Sequence, residues 1–167
     1  MKLLVCVSVV PDTTTKITFT DGNTQFNKTG VQFIINPYDE LALTRALDIT
    51  EPIGGTVTVI TVGEADTEPV IRKALAMGAT DAIRVDANPS DGMYVAAQIA
   101  EQAKSGEYDM ILTGRESIDY NGGQVQGLIA EMLNWPLINV VMELDVTDKK
   151  VTAVRDIDGG RETISVN

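Results

Sequence analysis

Short apolar runs alternate with amphipathic segments along most of the chain, and this alternation constrains the fold more than any other feature. The runs are Leu3–Val10, Thr56–Thr61, Ala82–Val85 and Met110–Thr113. They are too short for helices of typical length, and the first is almost continuously apolar, as in a strand that is buried on both faces of a sheet. The sequence therefore predicts an α/β fold with a doubly wound, mostly parallel, Rossmann-like sheet.

Three helices between these strands are predicted from their start and stop signals. The first begins after Asn36, which suits the N-cap position, with Pro37 at the first helical position. The second covers Glu68–Met77 and ends at Gly78, which suits the C-terminal cap. The third covers Met93–Ala103. Such helices supply the crossovers that parallel strands require.

Two regions depart from the alternation. The segments Lys16–Thr20 and Thr24–Phe26 flank an Asp-Gly-Asn turn and predict a hairpin at the rim of the sheet. After Trp135-Pro136 the pattern predicts an antiparallel C-terminal extension that could continue the sheet edge. Its strands are Ile138–Val146, Val151–Arg155 and Glu162–Val166, with turns at Thr147-Asp148 and Gly159-Gly160.

The chain stops at Asn167, directly after a predicted strand. We therefore expect residues 1–167 to form a single nucleotide-binding domain that lacks its C-terminal part. No apolar run approaches the length of a membrane span, and no signal peptide is evident. A cytoplasmic protein without membrane insertion is expected.

Charge and composition exclude several functions. The net charge is −11, from 24 acidic and 13 basic residues, so nucleic acid is a poor partner. The chain has no histidine and one cysteine, which removes the commonest general base and makes a transition-metal site unfavourable. Cys6 lies in an apolar strand, where a small buried side chain is the default interpretation. We expect no catalytic residue and no metal.

The segment Thr113–Gly127 carries the strongest functional signal. It is a polar, glycine-rich loop between the Met110–Thr113 strand and an amphipathic segment, Leu128–Leu133. A strand, loop and helix in this order place free backbone N–H groups and a positive helix end beyond the sheet, where nucleotide phosphates bind. The standard P-loop and G-x-G-x-x-G motifs are both absent from the sequence. The loop therefore predicts a phosphate site of another kind.

Individual residues of this loop suggest roles. Gly122 and Gly123 permit close approach of a phosphate, Asn121 can cap the following helix, and Arg115 offers a positive charge. Asp119 fits either a ribose hydroxyl or an Asx-turn that holds the loop. The alternative is that the glycines only let the helix pack closely against its neighbours.

Other strand ends are expected beside the loop, because a parallel sheet gathers its carboxyl ends at one edge. They are Cys6–Ser8 and Thr61–Gly63, with the helix start at Asn36 as a further neighbour. Backbone groups there could read an adenine edge. Asp39 and Glu40 are interpreted as first-turn acids that suit the helix dipole.

Four ordered motifs resemble the beta subunit of electron-transfer flavoproteins. They are Val9-Val10-Pro11-Asp12-Thr13, then Ile35-Asn36-Pro37-Tyr38-Asp39-Glu40, then Arg72–Ala79, and finally Gly114-Arg115-Glu116-Ser117-Ile118-Asp119 with Gln124 and Leu133-Asn134-Trp135-Pro136. The resemblance implies a heterodimer with an alpha subunit that carries the redox-active FAD. It implies that the beta subunit itself holds a structural AMP or, in electron-bifurcating members, a second FAD.

Carried over by position, the resemblance places the nucleotide against two sets of residues. Outside the loop they are Cys6, Asn36, Pro37, Tyr38, Asp39 and Val62. In the loop they are Gly114, Arg115, Glu116, Ser117, Ile118, Asp119, Tyr120, Asn121, Gly122, Gly123, Gln124 and Val125. Asn121 to Val125 would hold phosphate through their backbone amides.

This chain departs from the family pattern within the loop. Family members often have an acid where this chain has Asn121, and Gln and Ala where it has Glu116 and Ser117. Family members also continue beyond Asn167 with a loop that recognises dehydrogenases and an arm that embraces alpha. The alternatives are an ATP-binding or ATP-sensing domain like the universal stress proteins, and a purely structural module.

Overall fold

The structure is a computed structural model, and it describes residues 1–147 and 150–166. Its helices are α1 (Pro37–Thr50), α2 (Glu68–Met77), α3 (Gly92–Gly106) and α4 (Val125–Leu133), with short 3-10 turns at Glu51–Ile53 and Ala65–Thr67. Its strands are β1 (Lys2–Cys6), β2 (Val9–Pro11), β3 (Phe19–Thr20), β4 (Gln25–Phe26), β5 (Phe33–Ile35), β6 (Thr56–Val62), β7 (Asp81–Val85), β8 (Met110–Leu112), β9 (Val141–Thr147), β10 (Lys150–Ile157) and β11 (Gly160–Val166).

The central sheet is parallel and has the strand order β7-β6-β1-β8. Helices α1 and α2 pack on one face, where Leu3 and Val5 of β1 meet Leu43 of α1. Helices α3 and α4 pack on the other face, where Leu4 meets Ile99. Both faces of β1 are therefore buried, and the predicted doubly wound α/β fold is confirmed.

The first predicted strand, Leu3–Val10, is wrong in its extent. Strand β1 ends at Cys6, and Val9–Pro11 forms β2, which pairs antiparallel with β5 in a sheet of its own. The physical reason lies at Ser8, whose backbone N–H donates to a carboxylate of α1 at 2.8 Å instead of continuing a strand ladder. The chain is thereby diverted out of the central sheet.

The hairpin after β2 and the C-terminal region have the kinds of structure that the sequence predicted. Strands β3 and β4 form the predicted hairpin, with Phe19 paired to Phe26. Strands β9 to β11 form the predicted antiparallel extension, but as a separate sheet of order β11-β10-β9 that does not join the central sheet. The turn predicted at Thr147-Asp148 lies partly outside the described residues.

The extension begins later than predicted, and its first strand starts at Val141. Val140 has a φ of 54°, a value that is rare for a β-branched residue and that interrupts an extended chain. Asn134 ends α4 with a φ of 53°. These two positive-φ residues lie between α4 and β9, where the chain passes from the central sheet to the extension.

Candidate functional site

A cavity of about 660 Å³ opens at the carboxyl edge of the central sheet. Its walls include the ends of three neighbouring strands, at Cys6–Ser8, Thr61–Gly63 and Thr113-Gly114, together with Asn36. The connections that leave β1 and β8 lead to helices on opposite faces of the sheet, and ligands of α/β proteins bind at such a switch point. The prediction that these strand ends and the α1 start lie beside the loop is confirmed.

Most of the predicted site residues line this cavity. They are Cys6, Asn36, Asp39, Val62, Gly114, Glu116, Ser117, Asp119, Tyr120, Gly122, Gln124 and Val125. In the described part of the chain, the other six do not belong to the lining. They are Pro37, Tyr38, Arg115, Ile118, Asn121 and Gly123.

The cavity has a second wall that sequence reasoning missed. Residues 88–92, which lead into α3, line it together with Glu64, Asp66 and Lys28. Gly92 lets α3 approach closely, because a Cβ on it would lie 2.7 Å from Nε2 of Gln124. The rule that gathered the other strand ends at this edge also applies to the segment after β7, so this wall could have been predicted.

Asp39 does more than complement the helix dipole. Its carboxylate is buried and accepts hydrogen bonds from the Ser8 N–H at 2.8 Å, the Ser8 hydroxyl at 2.6 Å and the Gly114 N–H at 3.0 Å. Burial raises the pKa of Asp39, and the hydrogen bonds from Ser8 and Gly114 offset part of that rise. Asp39 thus joins the end of β1 to the start of the loop after β8.

Gly114 is the residue that permits this junction. A Cβ at this position would lie 2.2 Å from Oδ1 of Asp39 and 2.9 Å from its backbone nitrogen. Such a contact is closer than any side chain can tolerate, so the loop can leave β8 along this path only with glycine. The first glycine of the loop therefore serves the fold of the site.

The predicted N-cap, Asn36, contacts the same loop. Helix α1 begins at Pro37 as predicted, but the Asn36 side chain makes no cap hydrogen bond. Its Nδ2 donates to the Glu116 carbonyl at 2.9 Å, and its Oδ1 accepts from the Ile118 N–H at 3.3 Å. This side chain therefore holds two residues of the loop.

The loop consists of two parts that differ in their bonding. Residues 114–118, named the anchored half, are held by Asp39, by Asn36 and by Gln126, whose Nε2 donates to the Arg115 carbonyl at 3.0 Å. Residues 119–124, named the open half, are joined to it by the Ser117 N–H, which donates to the Gly122 carbonyl at 2.9 Å. The Ser117 hydroxyl also contacts the Asp119 carboxylate.

The open half presents unused hydrogen-bond donors. Within residues 1–147 and 150–166, no acceptor is bonded to the backbone N–H groups of residues 121–124. Helix α4 begins at Val125 with Gln124 as its N-cap, so the prediction that Asn121 caps this helix is wrong. Asn121 instead takes a φ of 56°, which turns the chain ahead of the helix. Free N–H groups at a helix start form an anion site.

Comparison with known proteins identifies the chain. A sequence profile described as "Electron transfer flavoprotein domain" matches residues 23–167. The electron transfer flavoprotein subunit beta of Bacillus subtilis is 36% identical over 168 residues, which cover 98% of this chain and 65% of that protein. The chain belongs to the electron transfer flavoprotein family.

Two further relatives carry the name of this family. The electron transfer flavoprotein subunit beta of Syntrophomonas wolfei is 34% identical, over 100% of this chain and 66% of that protein. The caffeyl-CoA reductase-Etf complex subunit CarD of Acetobacterium woodii is 34% identical over 99% of this chain and 65% of its own length. The chain thus spans about two thirds of the length of these relatives, and the resemblance seen in the sequence is confirmed.

Within this electron transfer flavoprotein fold, Arg115 is engaged on the outer side of the loop. Its guanidinium lies 2.5 Å from the Glu116 carboxylate, 3.4 Å from the Tyr38 hydroxyl and 5.1 Å from the centre of the Tyr38 ring. The Glu116 carboxylate raises the pKa of Arg115, first by its hydrogen bond and then by its charge. The positive charge predicted for this loop is therefore paired with a carboxylate of the same loop.

The thiol of Cys6 lies in the wall of the cavity. Burial, together with the charge of Asp39, raises the pKa of the Cys6 thiol far above its ordinary value, so the thiol stays protonated. Across the residues that the structure describes, no group of three or more His, Cys, Asp or Glu side chains is placed to hold a metal. In the same residues, no helix is long and apolar enough to cross a membrane.

Proposed function

We propose that this chain is the nucleotide-holding part of an electron transfer flavoprotein beta subunit and that it binds AMP or FAD in the cavity at the sheet edge. It pairs with an alpha subunit that carries FAD, and the complete protein passes electrons between dehydrogenases and a downstream acceptor. Bound FAD supplies one- and two-electron redox chemistry, whereas AMP serves the structure. The chain's own residues bind and orient the nucleotide and catalyse nothing alone.

The observation that carries this proposal is the open half of the loop. Its free N–H groups lie at the start of α4 and at the switch point of a parallel sheet. A phosphate there accepts hydrogen bonds from residues 121–124 and lies against the positive end of the helix dipole. Because Arg115 is paired with Glu116, backbone donors are the principal attraction for the phosphate.

The cavity is compatible with an adenine nucleotide. Its volume of about 660 Å³ lies within the range of about 300 to 1,000 Å³ that is usual for small-molecule sites. The apolar ends of β1 and β6, at Cys6 and Val62, form one wall for a base. Asp119 belongs to the loop, where its carboxylate either accepts from a ribose hydroxyl or accepts from the Ser117 hydroxyl as it does here.

The partners in this proposal come from the relatives. CarD is named as a subunit of a caffeyl-CoA reductase-Etf complex, and the other relatives are named as beta subunits. We extend that assembly to this chain and propose an alpha subunit as its direct partner and a dehydrogenase or reductase as the partner of the complete protein. The single-domain organisation of residues 1–167 and a cytoplasmic location stay predictions.

Release of the bound nucleotide tests the proposal. Purified protein is denatured and the supernatant is analysed by mass spectrometry, and emptied protein is then titrated with AMP, FAD and ATP in separate experiments. We expect AMP or FAD to be recovered and to bind again with a stoichiometry of one. Tight binding of ATP alone would support the stress-protein alternative, and binding of no adenine nucleotide would overturn the proposal.

A further inference from the structure

Asn36 occupies the N-cap of α1 without the usual side-chain contact. An N-cap side chain normally accepts from a backbone N–H of the first turn, which stabilises a helix by about 1 kcal/mol. Here the Asn36 carbonyl alone accepts from the N–H groups of Asp39, at 2.8 Å, and Glu40, at 3.0 Å. The side-chain amide is thus used elsewhere, although serine or aspartate at this position would cap the helix directly.

The side-chain amide of Asn36 bonds to the loop as the backbone of a neighbouring strand would. It presents one donor and one acceptor to alternate residues of the anchored half, bonding Glu116 at 2.9 Å and Ile118 at 3.3 Å. The residue between them, Ser117, donates its N–H to Gly122 at 2.9 Å. Fixing residues 116 and 118 therefore fixes the one backbone hydrogen bond that joins the anchored half to the open half.

The side chain of Asn36 is enclosed by the protein. The residue is 1% exposed, and both polar atoms of its side chain have protein partners. A buried amide whose hydrogen bonds are all formed does not destabilise the fold. A buried amide or backbone group that loses its hydrogen-bond partner lowers the free energy of unfolding by about 1–3 kcal/mol. Asn36 also lines the cavity, but both polar atoms of its side chain are already bonded to the loop, so we expect its effect on a nucleotide to pass through residues 116–118.

We propose that Asn36 is a positioning residue, which acts through residues 116–118 to set the open half of the loop in the conformation that receives a nucleotide phosphate. This inference rests on the proposed function, because it assigns a role within the same site. It differs from a direct contact, which the family resemblance implied for Asn36. The ligand class is a nucleotide that offers phosphate oxygens to backbone N–H groups.

The substitution Asn36→Ser separates positioning from stability. Serine is a favoured N-cap residue, so α1 keeps its start, but its hydroxyl is too short to bridge Glu116 and Ile118. A matched control is Thr50→Val at the far end of α1, where the buried Thr50 hydroxyl donates to the Ala46 carbonyl at 2.8 Å. Both variants lose buried hydrogen bonds, but only Asn36→Ser loses hydrogen bonds to the loop.

Two measurements are made on each variant in its full chain. Amide hydrogen exchange of the nucleotide-free protein is followed by NMR at Ser117, whose N–H donates to Gly122, and along α1. Affinities for AMP and for FAD are measured by calorimetry. In Asn36→Ser we expect the protection of Ser117 to fall at least tenfold and nucleotide affinity to fall at least tenfold, while α1 keeps its protection. Thr50→Val should leave both quantities within threefold of the wild type.

The outcomes distinguish this inference from the proposed function. Unchanged protection of Ser117 in Asn36→Ser, or unchanged nucleotide affinity despite lost protection, would overturn the positioning role. If the wild type binds neither AMP nor FAD, the proposed function fails, and the exchange measurement still decides whether Asn36 sets the loop.

Discussion

The two halves of the 114–124 loop are adjacent in sequence and opposite in character. The anchored half is fixed by side chains of α1 and α4, and even its glycine is required by the close approach of Asp39. The open half is joined to it by Ser117 and leaves its N–H groups at residues 121–124 without protein acceptors in the described ranges. We interpret the difference as a division of roles, in which one part of the loop serves the fold and the other, in the proposed function, receives the ligand.

The largest effect is expected at Gly114. Replacing Gly114 with Ala places a Cβ 2.2 Å from Oδ1 of Asp39, and because the neighbouring atoms include backbone, the clash is not relieved by a side-chain rotation. We expect a loss of about 3 kcal/mol in the free energy of unfolding, the upper part of the usual range for overpacking. Urea denaturation measures it. A loss below about 0.5 kcal/mol would show that the anchored half is not tightly held.

The next effect is expected at Asp39. In the variant Asp39→Asn, the side-chain amide has one oxygen acceptor, and an NH₂ donor replaces the second oxygen. One N–H from Ser8 or Gly114 is then left facing this NH₂ group. We expect a loss of about 2 kcal/mol, since a buried donor loses its partner. Glu40→Gln is the matched control, because Glu40 lies on the same helical turn and forms a surface ion pair with Lys73 at 2.9 Å. That control should lose less than about 1 kcal/mol.

The same variant carries a pH dependence. Because burial raises the pKa of Asp39 above its ordinary 3.8, the folded protein binds a proton at pH values where the unfolded chain has lost it. Preferential binding of this proton to the folded protein adds to the free energy of unfolding. The added free energy is fully present below pH 3.8 and is lost as the pH rises through the raised pKa of Asp39. The stability difference between wild type and Asp39→Asn should therefore shrink as the pH rises through this window. Urea denaturation at several pH values checks the sign, and a difference that grows would contradict it.

A contrasting effect is expected in the open half. An added Cβ at Gly123 has its nearest neighbour, the Arg115 carbonyl oxygen, at 3.5 Å, which is an ordinary contact. Gly123→Ala should therefore fold with a stability within about 0.5 kcal/mol of the wild type. It should bind AMP or FAD about tenfold more weakly, which corresponds to about 1.4 kcal/mol, because alanine restricts the backbone conformations that the open half can adopt around a phosphate.

Gly127→Ala is the control for this variant. A Cβ at Gly127 has no neighbour within 4 Å, and alanine favours the helix, so stability should rise by up to about 1 kcal/mol while affinity stays unchanged. Calorimetric titration of both variants provides the comparison. Equal affinities for Gly123→Ala and wild type would place the ligand away from the open half.

The smallest effect is expected at Glu116. Its ion pair with Arg115 is partly exposed, at 26% for the Glu116 side chain and 48% for Arg115, and pairs of this kind contribute below about 1 kcal/mol. Glu116→Gln should leave the unfolding free energy within that limit and raise the affinity for AMP by no more than about threefold. A larger gain, measured by titration, would show that this carboxylate faces the phosphate.

Sequence reasoning reached the fold because the signals involved are local. The boundaries of α2, Glu68–Met77 with Gly78 as its cap, were predicted correctly, since a helix start, its apolar spacing and its terminal glycine lie close together. The extent of β1 was predicted wrongly. Nothing within Leu3–Val10 announces that Ser8 bonds to Asp39, a residue 31 positions away.

The site was predictable in its place but not in its bonding. The gathering of strand ends at one edge follows from the topology, and the structure confirms it. The engagement of Arg115 with Glu116 and Tyr38, and the missing side-chain cap at Asn36, depend on which groups folding brings into contact. The charge of Arg115 does not indicate that its side chain pairs with Glu116, and the capping preference of Asn36 does not indicate that its side chain bonds to the loop.

By itself the sequence determined the class of fold, the edge of the sheet that carries the candidate site and the family to which the chain belongs. These properties are encoded in the periodicity of apolar residues, in turn residues and in ordered motifs, all of which lie within short contiguous segments of the sequence. Only the tertiary structure decided which half of the loop is held and which is free. That division depends on hydrogen bonds that join the loop to Asn36 and Asp39 across 75 to 82 positions, and a contact at such a separation exists only once the chain has folded.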